Sequence, residues 1–254
     1  MHAVLLYHGI EDGTPSARQM DAVDREYVLD RKLFEAHIEY LAARPPGAVS
    51  AIISFDDGDL SGHTVAAPIL EHHGLRGVFF VVTRWIGQPG FMTADHLRDL
   101  LGRGHAVHSH SRSHPRLSSL TTAQIDDELH GSKMDLEAIL GAAVTQFSIP
   151  GGAYDQRVVH AAQRSGYKAV FNSVEGYNEE PAPFLRRRFT PRAYSDISML
   201  RAICEHPVRT KARIALKRTV IGTARGVLGT SAYGKLRSLL MRGATRSGSP
   251  HRRP

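Results

Sequence analysis

Cysteine is almost absent from this chain of 254 residues, Cys204 being the only one. A single thiol excludes a disulfide within the chain and a thiolate cluster around a metal, so any metal chemistry must use nitrogen and oxygen donors. Long apolar runs are also missing. No stretch approaches the roughly 18 apolar residues of a membrane-spanning helix. The apolar run at residues 3–7 is too short for the core of a secretory leader. These two absences predict a cytoplasmic protein.

Negative charge is missing from one region altogether. No Asp or Glu follows Glu205, while residues 206–254 carry twelve Lys or Arg. The preceding residues hold 20 basic and 25 acidic side chains. The overall excess of +7 therefore conceals a mildly acidic domain, 1–205, followed by a basic extension, 206–254. Tyr233 is the only aromatic residue of that extension, which leaves no platform for stacking bases and argues against nucleic acid. Ile214, Ile221 and Leu228 recur every seven residues, with Lys217, Arg218 and Arg225 between them. That spacing predicts a basic amphipathic helix, suited either to an anionic membrane surface or to packing on the preceding domain. The Ser-, Gly- and Arg-rich end at 246–254 reads as frayed.

What is present is a regular alternation. Short apolar segments at 3–7, 49–55, 77–82, 105–108, 145–149, 168–171 and 187–190 read as strands. Segments of helical period separate them, with recognisable punctuation. Asp30 caps a helix over 31–43, and Thr93 one around 96–102. Thr121 with Gln124 forms a capping box before 125–140, which Gly141 stops. Asp155 caps 156–165. Seven strands alternating with helices predict parallel βα units, in an open doubly wound sheet or in a barrel one strand short of eight. In either architecture the carboxyl rim of the strands carries function. The polar residues just past each strand are therefore the candidates.

Ser54-Phe55-Asp56-Asp57-Gly58 follows the second strand. Adjacent carboxylates repel unless a cation separates their roles, one binding the ion while the other stays free as a base. A solvated Asp-Asp-Gly turn explains the same residues if they stand alone. His110-Ser111-Arg112-Ser113-His114-Pro115 follows the fourth strand. Imidazoles four residues apart can meet on one side of a helical turn, which Pro115 would end. Among 15 histidines such a pair also arises by chance. Together, one carboxylate and two imidazoles leave positions open for water and substrate, as a catalytic ion requires. Ile149-Pro150-Gly151-Gly152 adds a turn whose backbone N–H groups are unobstructed by side chains, as an oxyanion site needs. His8, at the end of the first strand, lies on the same rim.

These segments resemble the motifs of the NodB-type polysaccharide deacetylases, carbohydrate esterase family 4. Ser54–Gly58 is similar to the first motif, and His110–Pro115 to the second, His-Ser/Thr-x-x-His-Pro. Gly104-His105, residues 151–155 and Gly166-Tyr167 match the surroundings, so the resemblance covers roughly residues 1–200. It implies a distorted (β/α)7 TIM-like barrel with the basic extension beyond it. It also implies Asp56 as general base, Asp57, His110 and His114 as ligands of a divalent ion (Zn²⁺, with Co²⁺ or Ni²⁺ as substitutes), and the Gly151 N–H at the oxyanion. The implied substrate is an N-acylated glycan, such as an exopolysaccharide or a lipid-linked precursor. The reaction is hydrolysis of an amide other than a peptide bond.

Two departures stand out. The third motif often carries Arg two residues before its Pro, where this chain has Ser148, so Arg187 or Arg188 is expected to orient the base. No late motif with a general-acid His is recognisable, and His206 does not fit one. That leaves His8 as the candidate acid, in protonated form. The alternatives are a same-fold amidase or deformylase acting on a small amide, and a non-catalytic glycan-binding relative. The sequence carries no signal for oligomeric state.

Overall fold

The computed structural model describes residues 1–13, 22–221 and 223. The chain divides after Pro207 into two compact units. In the first unit, seven strands run in parallel and in sequence order around a curled sheet. They are β1 (His2–Tyr7), β2 (Ser50–Phe55), β3 (Gly77–Val81), β4 (Ala106–Ser109), β5 (Gln146–Ser148), β6 (Ala169–Phe171) and β7 (Leu185–Arg186). Beyond β7 the chain reaches β1. Phe189 N–H donates to Val4 O and Leu6 N–H to Phe189 O, both at 2.8 Å, in a parallel bridge between Leu5 and Phe189. These bonds close the sheet into a seven-stranded barrel.

Alternation along the strands decides which side chains fill the barrel and which face the helices. Val4, Phe80, Ala169 and Phe171 are buried together, with Ile52 and Val78 packed against them. The intervening positions build a second, aromatic layer. Tyr7 meets Phe34 edge-on at 5.2 Å, and Phe55 stacks on Phe79 at 4.8 Å. Phe34 lies on the helix Arg31–Ala43, whose N-cap Asp30 accepts from Lys32 N–H. The capping boxes at Thr93 and Thr121 are both formed, and Gly141 ends its helix in the left-handed conformation.

The last strand departs from expectation. Strand pairing is found at Leu185–Arg186 and again at Phe189 rather than continuously over 187–190. Asn178 is the reason. Its side chain bonds both backbone groups of Arg187, Oδ1 accepting from the N–H at 2.8 Å and Nδ2 donating to the carbonyl at 3.0 Å. Arg188 N–H donates to Val174 O. The ladder is thus interrupted for two residues just where an arginine must turn toward the barrel axis.

His108 on β4 offers a test of the packing. It is 8% exposed, and its Nδ1 is buried without a hydrogen-bond partner. Burial, with Lys133 adding to it, pushes its pKa down to about 4 from 6.5. The unfolded chain therefore binds a proton near pH 6.5 that the folded chain refuses until about pH 4. The contribution of neutral His108 is complete above 6.5 and is lost as pH falls between these values, up to about 3 kcal/mol in all. His108→Leu should flatten the decline in urea-unfolding free energy between pH 6.5 and 4. An unchanged slope would place the acid sensitivity elsewhere.

Candidate metal centre and catalytic cavity

Parallel strands bring every carboxyl end to one rim, and the candidate residues meet there. A cavity of about 380 Å³ opens among Leu6, His8, Asp56, Asp57, His110, His114 and Gly151, with Tyr27, Trp85 and Arg192 along its sides. A second cavity shares His114 and Gly151 with it and is lined also by Pro115, Arg116, Pro150 and Ala153. The rim is shaped by backbone conformations that ordinary strand ends do not adopt. Asp57 has φ 74° and is followed by Gly58 at 85°. A Cβ on Gly58 would come within 2.9 Å of Val81, so glycine is required there by both conformation and space.

Asp57, His110 and His114 each offer a ligand atom, and these atoms all lie within 4.8 Å of one another. Asp57 Oδ1 is 3.5 Å from His110 Nε2 and 3.6 Å from His114 Nε2. A tetrahedral ion with bonds near 2.1 Å keeps its ligands about 3.4 Å apart, so both spacings from Asp57 suit a zinc-like ion. The tautomer of His110 agrees. Its Nδ1 donates to Ser148 O at 2.9 Å, which leaves the Nε2 lone pair toward Asp57. Burial opposes charge on His110, but Asp56 and Asp57 outweigh it and raise the pKa. Burial, reinforced by His110, pushes His114 down to about 4.

The two imidazoles do not meet on a helical turn, as the spacing suggested. Residues 110–116 form no helix, and Ser111 and His114 lie at φ 68° and 60°. Pro115 disfavours helix at His114, and the loop is held by contacts remote in sequence. One buried carboxylate, Glu128, supplies three of them, beside backbone bonds from Thr83 and Arg84 and the ion pairs of Arg112 with Asp127 and Asp135. Glu128 Oε2 accepts from the N–H groups of Arg112 and Ser113, each at 2.9 Å, and Oε1 from the Ser113 hydroxyl at 2.5 Å. Glu128 sits in a π-helical turn, Asp127–Gly131, a local widening often found at functional sites. Arg112 lies so close over Gly131 that a Cβ there would approach its guanidinium to 2.5 Å. Sequence reasoning did not find Glu128. Its carboxylate reads as an ordinary exposed helix position, and only the widened turn and the fold bring it to the loop.

Asp56 stands apart from the three ligands in its bonding. Arg188 grips it with two hydrogen bonds, Nη1 to Oδ1 at 2.8 Å and Nη2 to Oδ2 at 2.9 Å. The Ser148 hydroxyl donates to Oδ2 at 2.9 Å and accepts from Arg188 Nη2 at 2.8 Å. Arg188 Nε donates to Asn172 O. Burial by itself would raise the pKa of Asp56, but Arg188 and His110 more than offset it, and the carboxyl is held below its ordinary value. Of the two arginines expected as orienting groups, Arg188 reaches Asp56, while the Arg187 backbone is engaged by Asn178. The short Ser148 leaves the space through which Arg188 enters.

His8 sits half-buried in the cavity wall, 5.0 Å from the ring of Tyr27. Burial lowers its pKa more than Asp57 and Asp56 raise it. It is therefore neutral at pH 7, not protonated as the sequence reading supposed. Gly151 lines the cavity at φ 59°, with open space where a side chain would project.

The comparisons with known proteins agree with this geometry. A family model described as polysaccharide deacetylase matches residues 43–170, half of the chain. The match includes Asp56, Asp57, His110, His114 and Gly151 but neither His8 nor Arg188. YxkH of Bacillus subtilis is 26% identical over 191 residues, covering 68% of this chain and 64% of that protein. The peptidoglycan-N-acetylmuramic acid deacetylase PdaA of the same organism is 30% identical over 125 residues, 48% of this chain and 46% of the relative. The chain thus spans less than two thirds of the length of these relatives. Among solved structures, the deacetylase PplD of Streptococcus pyogenes superposes with a TM-score of 0.67 at 18% identity, over 78% of this chain and 96% of its own. A de-N-acetylase from Aggregatibacter actinomycetemcomitans gives 0.69 at 16% identity, over 79% and 98%. These structural neighbours share the barrel.

Glu128 carries the prediction for this site. Glu128→Ala removes the acceptor of three donors at the base of the histidine loop, at a cost of about 2–4 kcal/mol. Zinc affinity should fall at least tenfold in calorimetric titration, with Glu128→Gln intermediate. Wild-type zinc affinity in a folded Glu128→Ala protein would show that the loop holds its geometry without this anchor.

Proposed function

Because the chain belongs to the polysaccharide deacetylase family, we propose that it is a metal-dependent hydrolase removing acetyl or another short acyl group from the nitrogen of an amino-sugar glycan. The observation that carries this reading is the separation of two neighbouring carboxylates. Asp56 is locked by Arg188 and Ser148, while Asp57 faces His110 and His114 at ligand spacing. A binding protein needs no such division of labour.

Asp57 Oδ1, His110 Nε2 and His114 Nε2 would hold a divalent ion of the zinc type, with Co²⁺ or Ni²⁺ as substitutes. When bound, such an ion supplies Lewis acidity toward the acyl oxygen and toward a water molecule. The remaining work falls to the chain. Asp56, ionised and fixed on both oxygens, accepts the proton of the attacking water without having to reorient. The N–H of Gly151, a cavity-lining residue with no side chain in the way, would donate to the oxyanion as the carbonyl carbon becomes tetrahedral. The leaving nitrogen requires a proton, and we assign its delivery to His8. Neutral at the outset, His8 must receive that proton during turnover, and the proton collected by Asp56 is the one available. The products are a free amine on the sugar and a short carboxylate.

A second cavity beside the first, lined by Arg116, Pro150 and Ala153 and sharing His114 and Gly151 with it, favours a chain-like substrate over a small free amide. An exopolysaccharide or a lipid-linked glycan precursor fits this reading.

The test separates the two aspartates. His114→Ala and Asp57→Asn should each lower zinc content measured on the purified protein, and Asp57→Asn should regain part of its activity at high zinc. Asp56→Asn should keep the ion and lose at least a hundredfold in acetate release from N-acetylated oligosaccharides. If the two aspartate variants behave alike, the assignment of base and ligand fails.

A further inference from the structure

Residues 207–221 are helical, and this helix has two apolar stripes. The one legible in the sequence, through Ile214 and Ile221, is covered. Ile214 and the neighbouring Thr210 are 5% and 4% exposed, and Ile221 is half-buried. Leu228 lies outside the described residues. The second stripe is the unexpected one. Val208, Ala212, Leu216 and Val220 follow one another at four-residue intervals and so share a face. All are exposed, Val208 at 80%, Leu216 at 66% and Val220 at 58%. On a helical projection Lys211 and Arg218 border this face on one side, and Arg213 and Lys217 on the other, while Arg209 falls within its arc, between Leu216 and Val220. All five basic residues are exposed.

We propose that this face is a docking surface for an anionic lipid bilayer. Charge complementarity selects the occupant. The segment from 206 onward carries twelve basic and no acidic side chains, and a surface of anionic headgroups is matched by positive charge of a single sign. An apolar stripe flanked by basic residues is also the geometry of a helix lying in the interface, its valine and leucine side chains below the headgroups and its cations among them. Among the described residues no helix is long and apolar enough to cross a membrane, so the association is peripheral. Nucleic acid would use the charge but not the stripe. This inference does not rest on the catalytic reading.

Vesicle sedimentation of the full chain tests it. The protein should pellet with vesicles of phosphatidylglycerol and phosphatidylcholine at low salt, not with phosphatidylcholine alone. It should be released when added salt shortens the Debye length from about 10 Å toward 3 Å. The double variant Leu216→Asp with Val220→Asp alters only exposed positions. Its thermal midpoint and zinc content should match the parent, while its partition onto anionic vesicles falls at least tenfold. Failure of the parent to pellet at low salt would overturn the proposal, and so would a double variant that binds as the parent does. If instead the parent self-associates without lipid and the double variant is monomeric, the face joins two copies of this chain and the membrane reading is wrong.

Discussion

The ion pair between Asp56 and Arg188 joins groups 132 residues apart and ties the closing end of the barrel to the rim of β2. Its two parallel hydrogen bonds engage both oxygens of the carboxylate and leave Oδ1 able to accept once more, while Ser148 and Asn172 occupy much of what remains of the guanidinium. A buried pair of this kind adds little net stability over apolar packing, but removing one partner strands a charge and costs several kcal/mol. Its value is positional. The Asp56 carboxylate is fixed in direction and kept ionised by a guanidinium that lies beside the buried cluster of Val4, Phe80 and Phe171. Phe80 lies under the guanidinium at 5.9 Å.

The ligand side of the site follows a complementary logic. Asp57 and His114 occupy left-handed backbone conformations, each of which costs energy for a residue other than glycine. Bonds from elsewhere must hold them. For the histidine loop these come from Glu128 in a widened helical turn and from the Ser111 hydroxyl, which accepts from His114 N–H. For His110 the Ser148 carbonyl fixes the ring. Ser148 therefore serves both halves of the site, its hydroxyl meeting Asp56 and its carbonyl His110. A larger side chain there would displace Arg188.

Charge is apportioned along the chain in the same deliberate way. The barrel gathers its acidic residues, among them two at the site, whereas the extension holds only cations. The carboxylates create the field that an ion or a cationic product meets in the cavity. The cations beyond Glu205 provide attraction of the opposite sign, suited to a surface instead of a substrate.

Local chemistry is what the sequence by itself determined. Alternating apolar runs, N-caps at Asp30, Thr93, Thr121 and Asp155, and the stop at Gly141 depend on near neighbours, and so each was legible. The candidates Asp56, Asp57, His110 and His114 were legible for a related reason, since parallel strands carry whatever follows them to a common rim. Contacts between distant segments were decided only by the tertiary structure. Asn178 breaks the last strand, so its continuous reading over 187–190 fails. Bonds from Glu128, Thr83, Arg84 and Ser148, not helical spacing, hold the loop that carries the two imidazoles. Burial leaves His8 neutral, and burial again decides that the apolar stripe left exposed on the basic helix is the one through Leu216 and not the one through Ile214. Each of these depends on what surrounds a side chain in space, a quantity that residue order alone does not contain.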